Sequence, residues 1–599
     1  MNSNLSGHRL QDLLTPWRMI VLSGLVGGLS GLGAVVFYHM LDIAQVLLMG
    51  TLGGYNLATG SFVADFRLGW RTLVRFLLPA AGGLIGGWLV FRYAPEAEGH
   101  GTDAAIDAYH NHDGMIRGRI PLVKALASAI TIGSGGSAGQ EGPIAQIGAG
   151  LASQLAALLR LSPQDRRILM SAGLAGGVGA IFQAPLAGAL FAAEVMYRDL
   201  DLEYEVLVPS IISSIGAYSV FSLFFGWQPY FAAAPFVFMN PLQLLPYLLL
   251  ALVVAGGSIL YVRTFYGVRR LFHWLPLPLF LKPALGGLMV GAIALFLPEA
   301  MGTGSFILRQ ALNGGVTSDF LLPLSGVWFL LLLVPGKILT TSFSIGSGGS
   351  GGVFGPAIVI GGALGGVVGH LVAHWFPGLG AEPGAFVLVG MAGFFAAAAN
   401  TPISTIIIVS EMTGNYNLLV PSMWVCFLAY LMMRRVCLYQ AQVPNRFEAP
   451  VHLGRMIKGA LAGVTVQSLC EHRNIGRKRQ VLRPEEDLSA IVYRFMHGSQ
   501  TSMAVCEEDG RLLGTISRSH LQSVLIDAQA ATKPVVAADL AQPALVLRPA
   551  DTLEQALIQL REHHLSEAVV QDPEDRDRII GVVGYHDIMA AYHDHLQPD

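Results

Sequence analysis

Charge is scarce in this chain: Asp, Glu, Lys and Arg make up only 13% of its 599 residues. An ordinary soluble domain carries about twice that share, so most of the chain is not built to face water. The 37 Lys and Arg are outnumbered by 40 Asp and Glu, for a net charge of -3, which leaves no basic footprint for nucleic acid. The four cysteines, Cys426, Cys437, Cys470 and Cys506, form no CxxC pair, which speaks against a disulfide framework and a thiolate metal site. No HExxH motif supports a membrane protease, and neither an enzyme nor a metal site is expected. His110, His112 and Asp113 of YHNHDG read as a polar loop between spans.

What fills the chain instead is apolar: 53% hydrophobic residues, 71 glycines and a mean hydropathy of +0.54. Met19–Leu41, Leu73–Val90, Leu207–Phe225, Leu245–Val262 and Leu418–Met433 each approach or exceed the roughly 20 residues that span a bilayer core. Leu322–Val334 is shorter. Residues 1–18 are polar and no cleavable signal is expected, since the first apolar run is long enough to remain as a span. Arg9 and Arg18 favour a cytoplasmic N-terminus.

Near Tyr439 the apolar runs stop. A linker over 441–462 leads into a charged tail in which LRPEEDLSAIVYRF from Leu482 is repeated as LRPADTLEQALIQL from Leu547. Each copy continues into strand-like runs, so two α/β repeats are expected at 463–530 and 531–599. A tail this charged belongs in water, on the cytoplasmic side after an even number of crossings. A second repeat lies in the apolar part. GSGGSAGQEGPIAQIG from Gly133 returns as GSGGSGGVFGPAIVIG from Gly346, and a run ending at Glu194 is echoed by one ending at Glu411. The membrane region, 19–440, thus consists of halves at about 20–230 and 240–440, as in transporters whose sites lie at a repeat interface. Their symmetry is parallel if each half crosses an even number of times and inverted if odd; inversion is the expectation.

Both Gly-rich copies place unwound backbone at membrane depth just before a helix, an arrangement that is costly unless the freed N–H groups meet a ligand or line a cavity. A helix N-terminus presents unpaired N–H donors and about half a positive charge, which suits an anion. Pro143 and Pro356 fit a first helical turn. A lone Gly run would read as close helix packing; two matching copies, each ending in Gly-Pro, favour a site.

These residues resemble the CLC family of chloride channels and chloride/proton antiporters. GQEGP at Gly139–Pro143 is similar to the family's GREGP, and GVFGP at Gly352–Pro356 to its GxFxP. GHGTD at Gly99–Asp103 stands where the family has GSGIP. CLYQAQVPNR at Cys437–Arg446 is similar to its last membrane segment, and the tail resembles a pair of CBS domains. The resemblance implies a polytopic α-helical membrane protein with broken, tilted helices plus a cytoplasmic α/β CBS pair. It implies a gating carboxylate at Glu141, which without the resemblance reads as a helix-capping acid. It also implies a chloride site built from Tyr439, the amides of Val353 and Phe354, and the His100, Gly101 and Gly142 region.

Two departures bear on mechanism. His100 stands where the family has an anion-contacting serine, and Thr102 and Asp103 replace Ile-Pro, so the anion selected is open. Val195 stands where the family's antiporters carry a proton-relaying acid after Glu194. Valine carries no proton, so a passive chloride channel with a pH-sensitive gate is the expected function. Coupled chloride/proton exchange is the alternative, with water or the nearby Glu203 and Glu205 in the relay's place. A CBS-regulated transporter of another ion would need intramembrane carboxylate clusters. Glu194 and Glu411 read either as functional acids or as helix caps, and Lys124 as a source of positive potential or an acid's partner. No cofactor is required; chloride is the bound substrate. For the CBS pair the resemblance suggests an adenine nucleotide such as ATP or AMP near Ser517 and Asp587, although His520 stands in the acid's place in the first copy. A dimerisation module is the other reading. A homodimer in the cell membrane is implied.

Overall fold

The computed structural model describes residues 4–56, 61–62, 70–231, 235–313, 326–434, 436–446, 448–452, 463–472 and most of 481–524 and 535–591. It falls into two compact units, Met1–Val451 and His452–Asp599.

In the first unit sixteen helices are described, eight per half. The first half holds α1 (Asn4–Gln45), α2 (Trp70–Tyr93), α3 (Thr102–Asn111), α4 (Arg119–Gly133), α5 (Glu141–Leu158), α6 (Pro163–Ile181), α7 (Pro185–Glu194) and α8 (Tyr204–Phe225). The second repeats the order as α9 (Leu244–Trp274), α10 (Lys282–Ala294), α11 (Ser305–Leu312), α12 (Val327–Gly346), α13 (Phe354–Trp375), α14 (Pro383–Ala399), α15 (Pro402–Thr413) and α16 (Leu419–Met433). A two-strand hairpin, β1 (Tyr55–Asn56) with β2 (Ser61–Phe62), follows α1.

Among the described residues six stretches are long and apolar enough to cross a membrane: Trp17–Leu52, Trp70–Tyr93, Tyr204–Phe225, Pro241–Trp274, Val327–Gly346 and Phe354–Trp375. Others are short. At about 1.5 Å per residue the 10-residue α7 covers only about half of a bilayer core. Two boundaries differ from those the sequence suggests. The polar N-terminal segment is continuous with the first span in one helix, α1. The expected linker packs against the membrane unit over its first residues: Gln442 Nε2 donates to the carbonyls of Val195 and Ala399 at 3.0 Å each, and Arg446 N donates to Asp201 Oδ2 at 2.9 Å. Most of the linker's remainder, 453–462, lies outside the described residues, as do 322–325 of the short apolar run and the 530/531 boundary.

The halves meet through equivalent residues. Gly139 and Gly352, at the same position of the Gly-rich repeat, exchange both backbone hydrogen bonds at 2.7 Å. Ser137 bonds Thr341, and its counterpart Ser350 bonds Ser128. Reciprocal pairing of this kind requires a local two-fold axis, and it satisfies backbone groups that lipid could not. Close helix crossing uses other glycines of the repeat. A Cβ on Gly148 of α5 or Gly173 of α6 would strike the other's carbonyl oxygen, and Gly361 and Gly390 of α13 and α14 do the same in the second half. The packing role of glycine and its role at the loops thus fall on different residues.

The second unit holds two sheets of one topology. In β3 (Val481–Leu482), β4 (Ser502–Cys506) and β5 (Leu512–Ser517) the first pairing is parallel and the second antiparallel. The same holds in β6 (Val546–Leu547), β7 (Glu567–Gln571) and β8 (Ile579–Gly584). Helices Leu488–His497 and Leu553–Glu562 supply the parallel crossovers. Leu482 and Leu547, repeat-equivalent, are wholly buried in their respective cores.

Candidate functional site

The site forms where α3, α5 and α13 begin. Glu141 is the first residue of α5, and its side chain is 8% exposed. Its Oε2 accepts from the amide of Gly355, in the first turn of α13, at 3.2 Å, and the amides of Gln140 and Glu141 itself also bond the carboxylate. An acid carried on one half is therefore held by the helix N-terminus of the other. Around it Thr102, Gly142, Val178, Phe182, Phe191, Phe354, Ile408 and Tyr439 leave a cavity of about 10 Å³, room for one water at most.

Tyr439 is buried to 1%, and its hydroxyl bonds Thr102 at the start of α3. Val353 and Phe354 are buried to 1% and 3%. The Phe354 ring lies 4.5 Å from Phe182 and 4.0 Å from Phe395, so apolar walls flank the donors. The amides of a helix N-terminus, a tyrosine hydroxyl and apolar walls are donors and surroundings that suit a small anion.

His100 is 4% exposed, with its ring 5.3 Å from that of Tyr439; its Nδ1 has no hydrogen-bond partner among the described residues. Gly101 adopts φ 83°, and a Cβ there would meet the Gly142 carbonyl and the Gln146 side chain. Asp103 Oδ1 accepts from the amide of Ala441 at 2.8 Å, tying α3 to the loop that carries Tyr439, while its Oδ2 stands 3.9 Å from His100 Nε2. Its charge is thus shared between a backbone donor and the His100 ring.

Lys124, wholly buried, feels the charge of Glu98 but makes its hydrogen bonds to backbone. Its Nζ donates to the carbonyls of Ala97 and Gly99 at 3.0 and 2.7 Å, propping the GHGTD loop from behind. Lys337, at the same position of the repeat, props the second-half loop through the carbonyls of Ala300, Met301 and Gly302. The sequence reading missed it, although the repeat alignment that relates Gly133 to Gly346 also relates the two lysines.

Glu194 and Glu411 are helix caps. Glu194 accepts from the amides of Ile403 and Ser404 at the start of α15, at 3.0 and 2.7 Å, and Glu411 accepts from Ala187 at the start of α7, at 2.9 Å. Each half caps the other, with an acid at a positive helix end. Val195 is wholly buried beside them. Among the described residues no group of His, Cys, Asp or Glu could hold a metal ion. His112 pairs Asp107 at 3.0 Å, Asp113 pairs Arg167 at 2.7 Å and His110 lies 3.2 Å from the Met196 carbonyl.

In the second unit Ser517 Oγ accepts from the His520 amide at 3.2 Å, and Asp587 Oδ2 from the Gly584 amide at 3.0 Å.

Residues 82–434 match the family described as voltage gated chloride channel, and residues 476–527 and 533–594 each match the CBS domain. A ClcB-like protein of Ralstonia nicotianae, named among chloride channel proteins, is 32% identical over 420 residues, covering 69% of this chain and 93% of its own. The H(+)/Cl(-) exchange transporter ClcA of Vibrio cholerae is 32% identical over 412 residues, covering 68% and 84%. The crystal structure of a slow cyanobacterial Cl-/H+ antiporter shares the fold with a TM-score of 0.60 at 23% identity, over 69% of this chain and 94% of that one. The chain is therefore a membrane protein of the voltage gated chloride channel (CLC) family, with a CBS pair following its transmembrane domain.

Proposed function

We propose that this protein exchanges chloride for protons across a membrane, with the Glu141 carboxylate as the group that closes the anion site and carries the proton. The observation that carries the reading is the carboxylate's seat on the Gly355 amide, with only about 10 Å³ left around it. A carboxylate there competes with chloride for the same donors. Protonation removes the charge that those donors favour, so the neutral acid yields its seat to chloride. Its return as an anion expels chloride and releases the proton. Tyr439, Val353, Phe354, Gly142 and the His100–Gly101 backbone line the anion's seat, with Lys124 holding the loop in place.

The ClcA name of the Vibrio cholerae relative supports exchange. A passive channel is the second reading, favoured by one observation: Val195, wholly buried, offers no proton acceptor. Purified protein in liposomes decides between them. Under an imposed chloride gradient, exchange drives protons against their own gradient, whereas a channel lets chloride pass with no proton movement.

In this reading the protein is a homodimer of the cell membrane, with its N-terminus and CBS pair cytoplasmic. The CBS pair binds an adenine nucleotide only if Asp587 releases the Gly584 amide. Calorimetric titration with ATP and AMP tests it, and no heat from either ligand assigns the pair to dimerisation instead.

A further inference from the structure

Glu203 is a wholly buried carboxylate that the anion site does not use. It lies between α7 and α8, and its amide donates to the Ala193 carbonyl at 3.0 Å. That bond ties it to the last turn of α7, next to Val195. Its carboxylate accepts from the Tyr197 hydroxyl, bonds the Tyr109 hydroxyl and stands 3.4 Å from the Arg446 guanidinium. The His110 ring is 5.2 Å from Tyr109 and 5.8 Å from Tyr197, and Glu205 shares Arg446 at 3.7 Å but is 31% exposed. Tyr109 and His110 close the far end of α3, the helix whose first residue, Thr102, bonds Tyr439. One helix of 10 residues therefore runs from the anion site to the Glu203 cluster, a reach of about 15 Å.

We propose that Glu203 is the inner proton acceptor, supplied by a loop instead of by the helix position that Val195 occupies. The proposal rests on the exchange reading. A proton released by Glu141 passes through water and hydroxyl groups to the Glu203 carboxylate. The neutral acid loses its attraction for Arg446. It then gives the proton to water at the partly exposed guanidinium, and the carboxylate and its ion pair are restored. One proton moves and no bond between heavy atoms changes. Glu205, already in contact with water, accepts from Glu203 but cannot replace it.

The test measures chloride and proton movement in the same liposomes, using the full chain. Glu203→Gln keeps the side chain's size and is expected to cut protons moved per chloride by about a hundredfold or more, the scale on which loss of a proton-transfer group is felt, while chloride still passes. Glu203→Asp, and Val195→Glu added to Glu203→Gln, are expected to recover proton movement. Tyr197→Phe, a milder change, is expected to slow protons alone. An unchanged proton-to-chloride ratio in Glu203→Gln overturns the assignment and leaves exchange standing. Wild-type protein that moves no protons overturns exchange and this assignment with it. Loss of both fluxes together, with no recovery by Val195→Glu and no selective effect of Tyr197→Phe, makes Glu203 a structural tie.

Discussion

Gly139→Ala puts a methyl group where the Glu141 carboxylate now sits. A Cβ at Gly139 would overlap Oε2, lie 3.1 Å from the carboxyl carbon and 2.8 Å from the Gly355 nitrogen, whereas ordinary contact begins at 3.4 Å. The nitrogen belongs to backbone at the start of α13 and the carboxylate to a side chain, so the carboxylate gives way. A shift of about 1 Å stretches its 3.2 Å bond to Gly355 beyond hydrogen-bond range. Losing one charge-assisted bond costs about 1.5–3 kcal/mol, so closed-gate occupancy falls by about tenfold to a hundredfold. The equivalent Gly352→Ala is the control. Its Cβ would meet only backbone, the Gly139 oxygen at 2.8 Å and the Gly142 nitrogen at 2.9 Å, and so strains the loop without expelling the acid. Chloride efflux from liposomes across a pH series reads the difference. Gly139→Ala is expected to raise efflux at neutral pH and flatten its pH dependence, while Gly352→Ala keeps the wild-type slope. Folded Gly139→Ala protein with wild-type efflux and slope would refute the reasoning.

His100→Ser removes an imidazole packed against Tyr439 and is expected to change the permeability ratios among chloride, nitrate and fluoride; identical ratios would place His100 outside the anion's path. Lys124→Met removes the charged donor from the Ala97 and Gly99 carbonyls and leaves them only the Ser350 hydroxyl and the Gly351 amide, a loss of about 1.5–3 kcal/mol per charge-assisted bond at most, so the melting temperature and anion affinity should both fall. Lys337→Met should lower stability alone, since the Ala300, Met301 and Gly302 carbonyls it holds lie outside the residues lining the cavity around Glu141. Glu194→Gln weakens the cap on α15 by about 1 kcal/mol, and a small drop in melting temperature with the proton-to-chloride ratio unchanged is expected.

The repeat made much of this site legible. Gly139 and Gly352 stand in register in the sequence and pair in the structure, and Glu141 follows directly from that register. The same register held Lys337, which was passed over because a lone Lys in an apolar run gives no hint that three carbonyls await it. Helices α7 and α15, of 10 and 12 residues, escape a search for 20-residue spans because they are too short, and glycine dilutes the apolar signal of α13. The direction of Asp103 was not readable, since it depends on the Ala441 amide more than 300 residues away. Nor was the burial of Glu203, which sits in the charged run RDLDLEYE and looks like surface.

The central claim is that one carboxylate, Glu141, links the two ions. Chloride and proton movement recorded together in liposomes, for wild type and Glu141→Gln, tests it most directly. Wild type is expected to move protons uphill when chloride is supplied, and Glu141→Gln to pass chloride faster, without protons and without pH dependence. Wild-type protein that conducts chloride alone, or a Glu141→Gln variant that still carries protons with chloride, would contradict the account.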